Sequence, residues 1–543
     1  MKKSVKITAW IVGTLAFLII AVFLSANVFV SRVVQKELAR TFDSLPDADA
    51  SIGGVYLDLL SGSAIVKDIT FCTYGLTLED SVSGMREPGL VLHIPGITVW
   101  GVSYRDLLRE HRLHIRSVSV DDPDILVYLD EENPAALMPV FPKDTTLKKA
   151  NQWLHAIELQ SFAVNNLRGR LRSTRTPLHL VADSLSIEIP DLAYNFIDSV
   201  FSYNDSVYTL VLKTLCVETP DGLMAVETHD VQTANQGPLT IGYTRLRNTI
   251  APKQLADMRR EPSTWIDLEV NSVSTSALNP IRKALAADWN LDSIYADIRR
   301  MHVVRDERHK PTKPFPTPQE VLLKAPVRFG VRQVNALARN IDIRFVSTDI
   351  NCGELHFKNI RARLDNVTNR PGAVWYSRAH APLGKQGKAD ATLAMYMDKA
   401  STFELGLTAQ NAGTEEFNPF IRPLVGITST CHIDQLDARY KGDKTVAKGE
   451  FCMQYHGLEV KVHKEDKIPY EVITKNADFF TGVANTLIPK SNPTAVDPAP
   501  RKYKVEWKRD EWKPYPLYLF GPCIDGIKMT MLPGLYVHKQ VKK

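Results

Sequence analysis

Cysteine is scarce. There are six in 543 residues, at positions 72, 216, 352, 431, 452 and 523, and no Cys-x-x-Cys. That sparsity excludes a disulfide-dense scaffold and a zinc ribbon. Charge of one sign is also lacking: 66 Lys and Arg face 61 Asp and Glu, a net +5. A reader of nucleic acid would concentrate basic residues in one domain, and none is expected as a partner. Catalytic signatures are missing as well. The chain has no His-Glu-x-x-His, no Gly-x-Ser-x-Gly, no Walker loop and no dinucleotide fingerprint. GKQGK at 384–388 is a basic turn without Walker spacing, and the 14 histidines are scattered. DDPD, residues 121–124, offers three carboxylates, but beside a strand end it reads as a solvated turn. No catalytic residue, metal ligand or cofactor is assigned, and the chain is read as non-enzymatic. Catalytic groups that converge in space without marking the sequence are the remaining enzymatic alternative.

Long hydrophobic runs are absent but for one. Ile7 to Val30 is 24 residues without a charge. At about 1.5 Å per residue this crosses a bilayer core of about 30 Å. A cleaved signal peptide competes with this reading, but it would have a shorter core and a clear small-x-small site. Lys2, Lys3 and Lys6 precede the run and place the amino terminus in the cytoplasm, although Arg32, Lys36 and Arg40 follow it. Everything after about residue 45 is then expected on the far side of the membrane.

What fills the rest is alternation. SLSIEI places Leu185, Ile187 and Ile189 between polar residues; WIDLEV does the same for Ile266, Leu268 and Val270. NIDIRF repeats it with Ile341, Ile343 and Phe345, and GLEVKV with Leu458, Val460 and Val462. Period two means strands with one apolar and one wet face, which is the mark of an antiparallel sheet solvated on one side. The best interior helix candidate is LNPIRKALAADWNLDSIYADIRR, about 278–300. Residues 132–154 and the Pro-rich 305–320 read as loops or lids, and another Pro-rich stretch, IPKSNPTAVDPAPRK, precedes the tail. LHIRSVSVDDPDILVYL, LHAIELQSFAVNNLRGRL and VRFGVRQVNALARNIDIRF loosely resemble one another. A chain too long for one core, with such repeats, suggests growth by repeated hairpins.

One stretch, CHIDQLDARYKGDKTVAKGEFCMQYH from Cys431 to His456, invites a metal. Its centre, YKGDKT, is turn chemistry, so its flanks are strands. Cys452 and His456 are then about 13 Å apart at 3.3 Å per residue, and zinc needs ligands at about 2.0–2.3 Å. A Cys431–Cys452 disulfide stays open, although the two cysteines share a face only if a bulge intervenes.

With those segments in view, the chain resembles the AsmA-like envelope proteins. The resemblance is carried by the anchor followed by ASIGGVYLDLLSGSAIVKDITF, by LHIRSVSVDDPDILVYLD, and by the run from MHVVRDERHKPTKPFP through GELHFKNIRARLDNVTN. FNPFIRPLVGITSTCHIDQLDARYKGDKTVAKGEFCMQYHGLEV and the tail KRDEWKPYPLYLFGPCIDGIKMTML complete it. It implies a mainly β fold: an extended twisted antiparallel sheet curled into a half-open groove, with one N-terminal transmembrane helix and a few short helices. The chain would divide into an anchor (1–45), a β-groove region (46–489), a Pro-rich linker with a short extended segment (490–512) and an amphipathic tail (513–543). Roughly 20 strands at about 4.8 Å would give a groove on the order of 100 Å. The implied setting is the bacterial inner membrane, with the bulk of the chain in the periplasm. The implied role is sheltering phospholipid acyl chains during inter-membrane transport or outer-membrane upkeep. The alternating apolar residues above are the candidate groove lining. The alternative is a non-enzymatic scaffold or assembly factor for outer-membrane proteins. In the tail, Leu517, Phe520, Ile524, Ile527 and Met531 form a helical stripe, interrupted by Gly521, Pro522 and Gly526. A short or broken helix is expected there, either docking onto a membrane or an envelope protein or closing the end of the sheet.

Overall fold

The computed structural model describes residues 27–36, 39–40, 48–73, 89–129, 154–173, 179–197, 200–204, 207–219, 221–235, 237–278, 289–325, 328–348, 351–463, 477–495 and 497–533. These are mainly β and fall into two compact units, Met1–Ile241 and Gly242–Lys543. Among the described residues no helix is long and apolar enough to cross a membrane. The predicted span Ile7–Val30 lies outside them except for its last four residues, which open a helical segment, 27–36.

The first unit contains β1 (Ala48–Asp58), β2 (Ser63–Thr73), β3 (Gly89–Val102), α1 (Tyr104–Glu110), β4 (Arg112–Asp121), β5 (Asp124–Leu129), β6 (Ala156–Ser173), β7 (His179–Asn195), β8 (Val200–Ser202), β9 (Thr209–Glu218), β10 (Met224–Ala234) and β11 (Pro238–Ile241). β1, β2 and β3 form a meander, and β3 is long enough to pair with β4 and β5 end to end. β6 runs parallel to both β4 and β5. Antiparallel pairing then resumes through β7, β9, β10 and β11, with the short β8 beside β7.

The second unit contains β12 (Thr244–Asn248), α2 (Pro252–Arg259), β13 (Ser263–Ala277), β14 (Trp289–Asp306), α3 (Pro318–Leu323), β15 (Phe329–Val346), β16 (Cys352–Thr368), β17 (Val374–Leu383), β18 (Gly387–Tyr396), β19 (Phe403–Gly413), α4 (Asn418–Val425), β20 (Ile427–Gly442), β21 (Val446–Val462), α5 (Ala477–Leu487), β22 (Lys502–Lys508) and α6 (Tyr515–Met531). Each strand pairs with its neighbours in sequence. Every pair is antiparallel except β14–β15, which is parallel.

Two expectations are corrected here. The sheet is mixed, not purely antiparallel. Parallel neighbours require a long crossover, and the two stretches read as lids are those crossovers. The first, 132–154, lies almost wholly outside the described residues. The second is a pinned strap. Its Arg308 binds Asp306 at 2.9 Å and Asp257 at 3.2 Å, the Phe315 amide donates to the Glu511 carbonyl at 2.8 Å, and Thr317 Oγ1 lies 2.7 Å from Ser401 Oγ. The helix expected at 278–300 is also corrected: its described part, from Trp289 onward, is strand β14.

The reason lies in a feature that recurs on strand after strand. In the first unit the ladder skips one row, at Asp68, Asp122, Asn166, Ser184 and Asp230, and each of these has a left-handed φ between 50° and 59°. Register places them side by side. Lys67 pairs Gly96, Gly96 pairs Asp121, Asp121 pairs Asn165, and Thr214 pairs both Asp183 and His229. A second row crosses β13–β16 at Asn271, Arg299, Arg339 and Asn359, and a third crosses β19–β21 at Asn411, Asp434 and Gly457. Asp and Asn tolerate this backbone better than other residues with a Cβ. Register shifts mark these rows at β6–β7, β13–β14 and β20–β21, while at the other antiparallel pairs the ladder resumes in the same register. Side-chain alternation slips by one along them. In β14 the apolar residues Ile294, Ala296 and Ile298 are followed, three residues on, by Met301 and Val303. A step of three inside a period of two resembles a helix.

Side-chain packing is uneven. The main cluster of buried residues lies in the second unit, around Phe403, Tyr440, Phe451, Met453, Tyr455 and Tyr503, with Tyr515, Tyr518 and Met529 of α6 laid over it. In the first unit the buried cluster is Val91, Leu126 and Tyr128, with Cys72 against it.

Candidate functional site

Cross-strand register assembles the alternating residues into rows. In the first unit Val55, Val66, Ile97, Val120, Val164, Ile187 and Leu210 stand opposite one another across seven strands. Beside this row runs a second, Leu57–Ala64–Val99–Val118–Phe162–Ile189. Leu185 faces Leu167 and Leu212 next to the skipped row. Apart from buried Val55, all of these are half-buried, and none belongs to a buried cluster. Seven strands at about 4.8 Å spacing make an apolar row of about 29 Å.

In the second unit Leu246, Leu268, Met301, Ile341 and Phe357 form one row. Ile266, Val303, Ile343 and Leu355 form another, and Val270 joins Ile298, Ala338 and Ile360. Two groups of candidates are placed differently from the sequence reading. Phe345 turns onto α4, its ring 6.3 Å from that of Phe420. Leu458, Val460 and Val462 are buried under α5, where Asn485 bonds both the amide and the carbonyl of Val460, and Thr481 Oγ1 accepts from the amide of Val462. Leu458 and Val460 line a filled core, not an open groove, and Val462 is buried beside them on the same strand. The missing signal was α5 itself, whose apolar residues come after the strand they cover.

The tail is a single 17-residue helix, Tyr515–Met531, running through Pro522. Burial of Tyr515, Tyr518 and Met529 outweighs the roughly 3 kcal/mol that an interior proline costs. Of the expected stripe, Ile527 and Met531 pack against the core. Leu517, Phe520 and Ile524 face outward, at 42%, 47% and 36% exposure.

Opposite the apolar rows lies a polar face whose charges are matched across strands. Arg245 makes two bonds to Asp267, at 2.8 and 2.9 Å, and Arg339 makes two to Asp297, at 2.8 and 2.9 Å. The Arg245 bonds hold the Asp267 carboxyl below its ordinary range against the opposing effect of burial. Lys441 binds Glu404 at 2.8 Å and holds its carboxyl down in the same way. Two adjoining hollows sit on this face. One, of about 820 Å³, spans β17–β21 over Thr392, Ala394 and Gly406. The other, of about 600 Å³, spans β14–β18, and Arg378, Asp390 and Thr392 border both.

The 431–456 stretch folds as β20, a tight turn and β21, with Asp443 Oδ1 accepting from the amides of Thr445 and Val446. Cys452 faces Asp437, while Cys431 is buried in the bulge between Thr430 and His432; both thiols are free. That bulge brings together His432 and His456, with ring centroids 4.9 Å apart and Asp434 3.0 Å from the Nδ1 of His456. Among the described residues no group of three or more His, Cys, Asp or Glu is arranged to hold a metal ion. No known family model, curated protein or solved structure matches the chain.

Proposed function

We propose that this is a membrane-anchored envelope protein whose apolar β-face shelters phospholipid acyl chains, with Ile7–Val30 as the anchor and the bulk of the chain in the periplasm. Such a protein would serve inter-membrane lipid transport or outer-membrane integrity, as the resemblance to AsmA-like proteins implies. The observation that carries the reading is the pair of apolar rows in the first unit. They cross six and seven strands, stay half-buried, and lie outside any buried cluster of the described residues. Each methylene covered there is worth about 0.8 kcal/mol, so a chain of a dozen or more carbons has ample reason to lie along them. A photo-crosslinking residue at Ile187 should capture phospholipid in membranes, and one at buried Val460 should not. Capture at neither position, in folded protein, overturns the proposal. A scaffold role is favoured by a different feature, the outward Leu517, Phe520 and Ile524 of α6. Replacing all three by Ser should leave lipid capture intact and remove a protein partner if that reading holds.

A further inference from the structure

On the polar face of the second unit four arginines meet carboxylates on the neighbouring strand: Arg245 with Asp267, Arg300 with Asp342, Arg332 with Asp292, Arg339 with Asp297. On β16 and β17, Arg363 stands directly opposite Arg378. Cβ atoms of such partners are about 4.5–5.5 Å apart, and like charges there are destabilising. Arg361, two residues along β16, projects from the same face opposite His380. The surrounding carboxylates are engaged: Asp365 takes Arg363 Nε at 3.0 Å, and Asp390 takes His380 Nδ1 at 2.9 Å. Among the described residues Arg361 and Arg378 make no hydrogen bond or ion pair, and both are exposed. Arg361, Arg363 and Arg378 together line the 600 Å³ hollow, with Asn335 and exposed Tyr295 on its far side.

We propose that this hollow binds a phosphate-class oxyanion, held between Arg361 and Arg378 with Arg363 behind them. A guanidinium presents paired N–H donors in the geometry a phosphate accepts, and such charge-assisted bonds are about twice as strong as neutral ones. The bound anion would screen the Arg363–Arg378 repulsion that the empty sheet carries. Arg361 and Arg363 alternate with Ala362 and Leu364, so the site faces away from the apolar rows and does not depend on the lipid reading.

The test uses the full-length chain and calorimetric titration with inorganic phosphate, sn-glycerol 3-phosphate and a short-chain phosphatidylglycerol below its micellar concentration. Wild type should bind phosphate, and Arg361→Gln/Arg378→Gln should bind at least about tenfold more weakly. Arg332→Gln, which removes a matched arginine on the same face, should bind as wild type. Without phosphate, Arg378→Gln should melt at or above the wild-type temperature, because it removes a like-charge neighbour. Tighter binding of the short-chain lipid than of glycerol phosphate assigns a lipid head group; equal binding assigns a free phosphate compound. No phosphate binding by wild type, equal binding by the double variant, or a lower melting temperature for Arg378→Gln without phosphate each overturns the proposal.

Discussion

Gly526 of α6 rests on the ring of Phe451 in β21, and a Cβ there would overlap the Cγ, Cδ1 and Cδ2 of that ring. Phe451 is 1% exposed and has nowhere to turn. The helix is also held where it is: Tyr440 Oη donates to the Leu519 carbonyl at 2.6 Å, and Tyr518 Oη donates to the Asp443 carbonyl at 2.8 Å. Gly526→Ala would gain about 0.5–1 kcal/mol on a free helix. Overpacking a filled core costs about 1–3 kcal/mol, and a helix that cannot retreat belongs at the upper end. The net expectation is a loss of about 2 kcal/mol, read as a lower urea midpoint with unchanged slope. Ile524→Ala, on the outward side of the same helix, should stay within about 0.5 kcal/mol of wild type. A Gly526→Ala protein as stable as wild type would refute the close docking of α6 on β21.

Further outcomes follow from other parts of the molecule. Asp267 has a lowered pKa, so the stability it contributes is present above its unfolded value of 3.8 and is lost as the pH falls through the folded value. Asp267→Asn should therefore unfold at lower urea than wild type at pH 7, and the two midpoints should converge as the pH falls below 3.8 and through the folded value. Removing residues 514–543 takes away Tyr515, Tyr518 and Met529 from the main core and should give a degraded or aggregated product; a folded truncation would show that α6 is only a docking element. Burial pushes the Cys431 thiol up to about 12, so iodoacetamide should label it only after unfolding, which peptide mass spectrometry would read. Labelling in the native protein would place it nearer the surface.

The strands were legible where one face is wet. SLSIEI, WIDLEV, NIDIRF and GLEVKV lie in β7, β13, β15 and β21 because period two survives within each. Strand direction was not legible, since a half-solvated parallel pair alternates just as an antiparallel one does; only the long connections from β5 to β6 and from β14 to β15 betrayed it. β14 was misread because Arg299 and Arg300 slip the pattern by one. The signal was nonetheless written along the chain, as polar dyads inside otherwise alternating runs: Lys67–Asp68, Asp121–Asp122, Asn165–Asn166, Arg339–Asn340, Lys358–Asn359. Pro522 pointed to a broken helix because its cost is local, while what opposes it comes from β21 and β22, far off in sequence. The Arg363–Arg378 pair lay beyond any local reading, since its register depends on how the turn at Asn369–Gly372 closes.

Those dyads have a mechanical meaning. A sheet resists bending across its strands because every ladder bond must strain at once. Where the ladder skips one row on strand after strand, the stiffness drops along a single line. The row of Asp, Asn and Ser residues is thus a line of lower bending stiffness, set by backbone handedness.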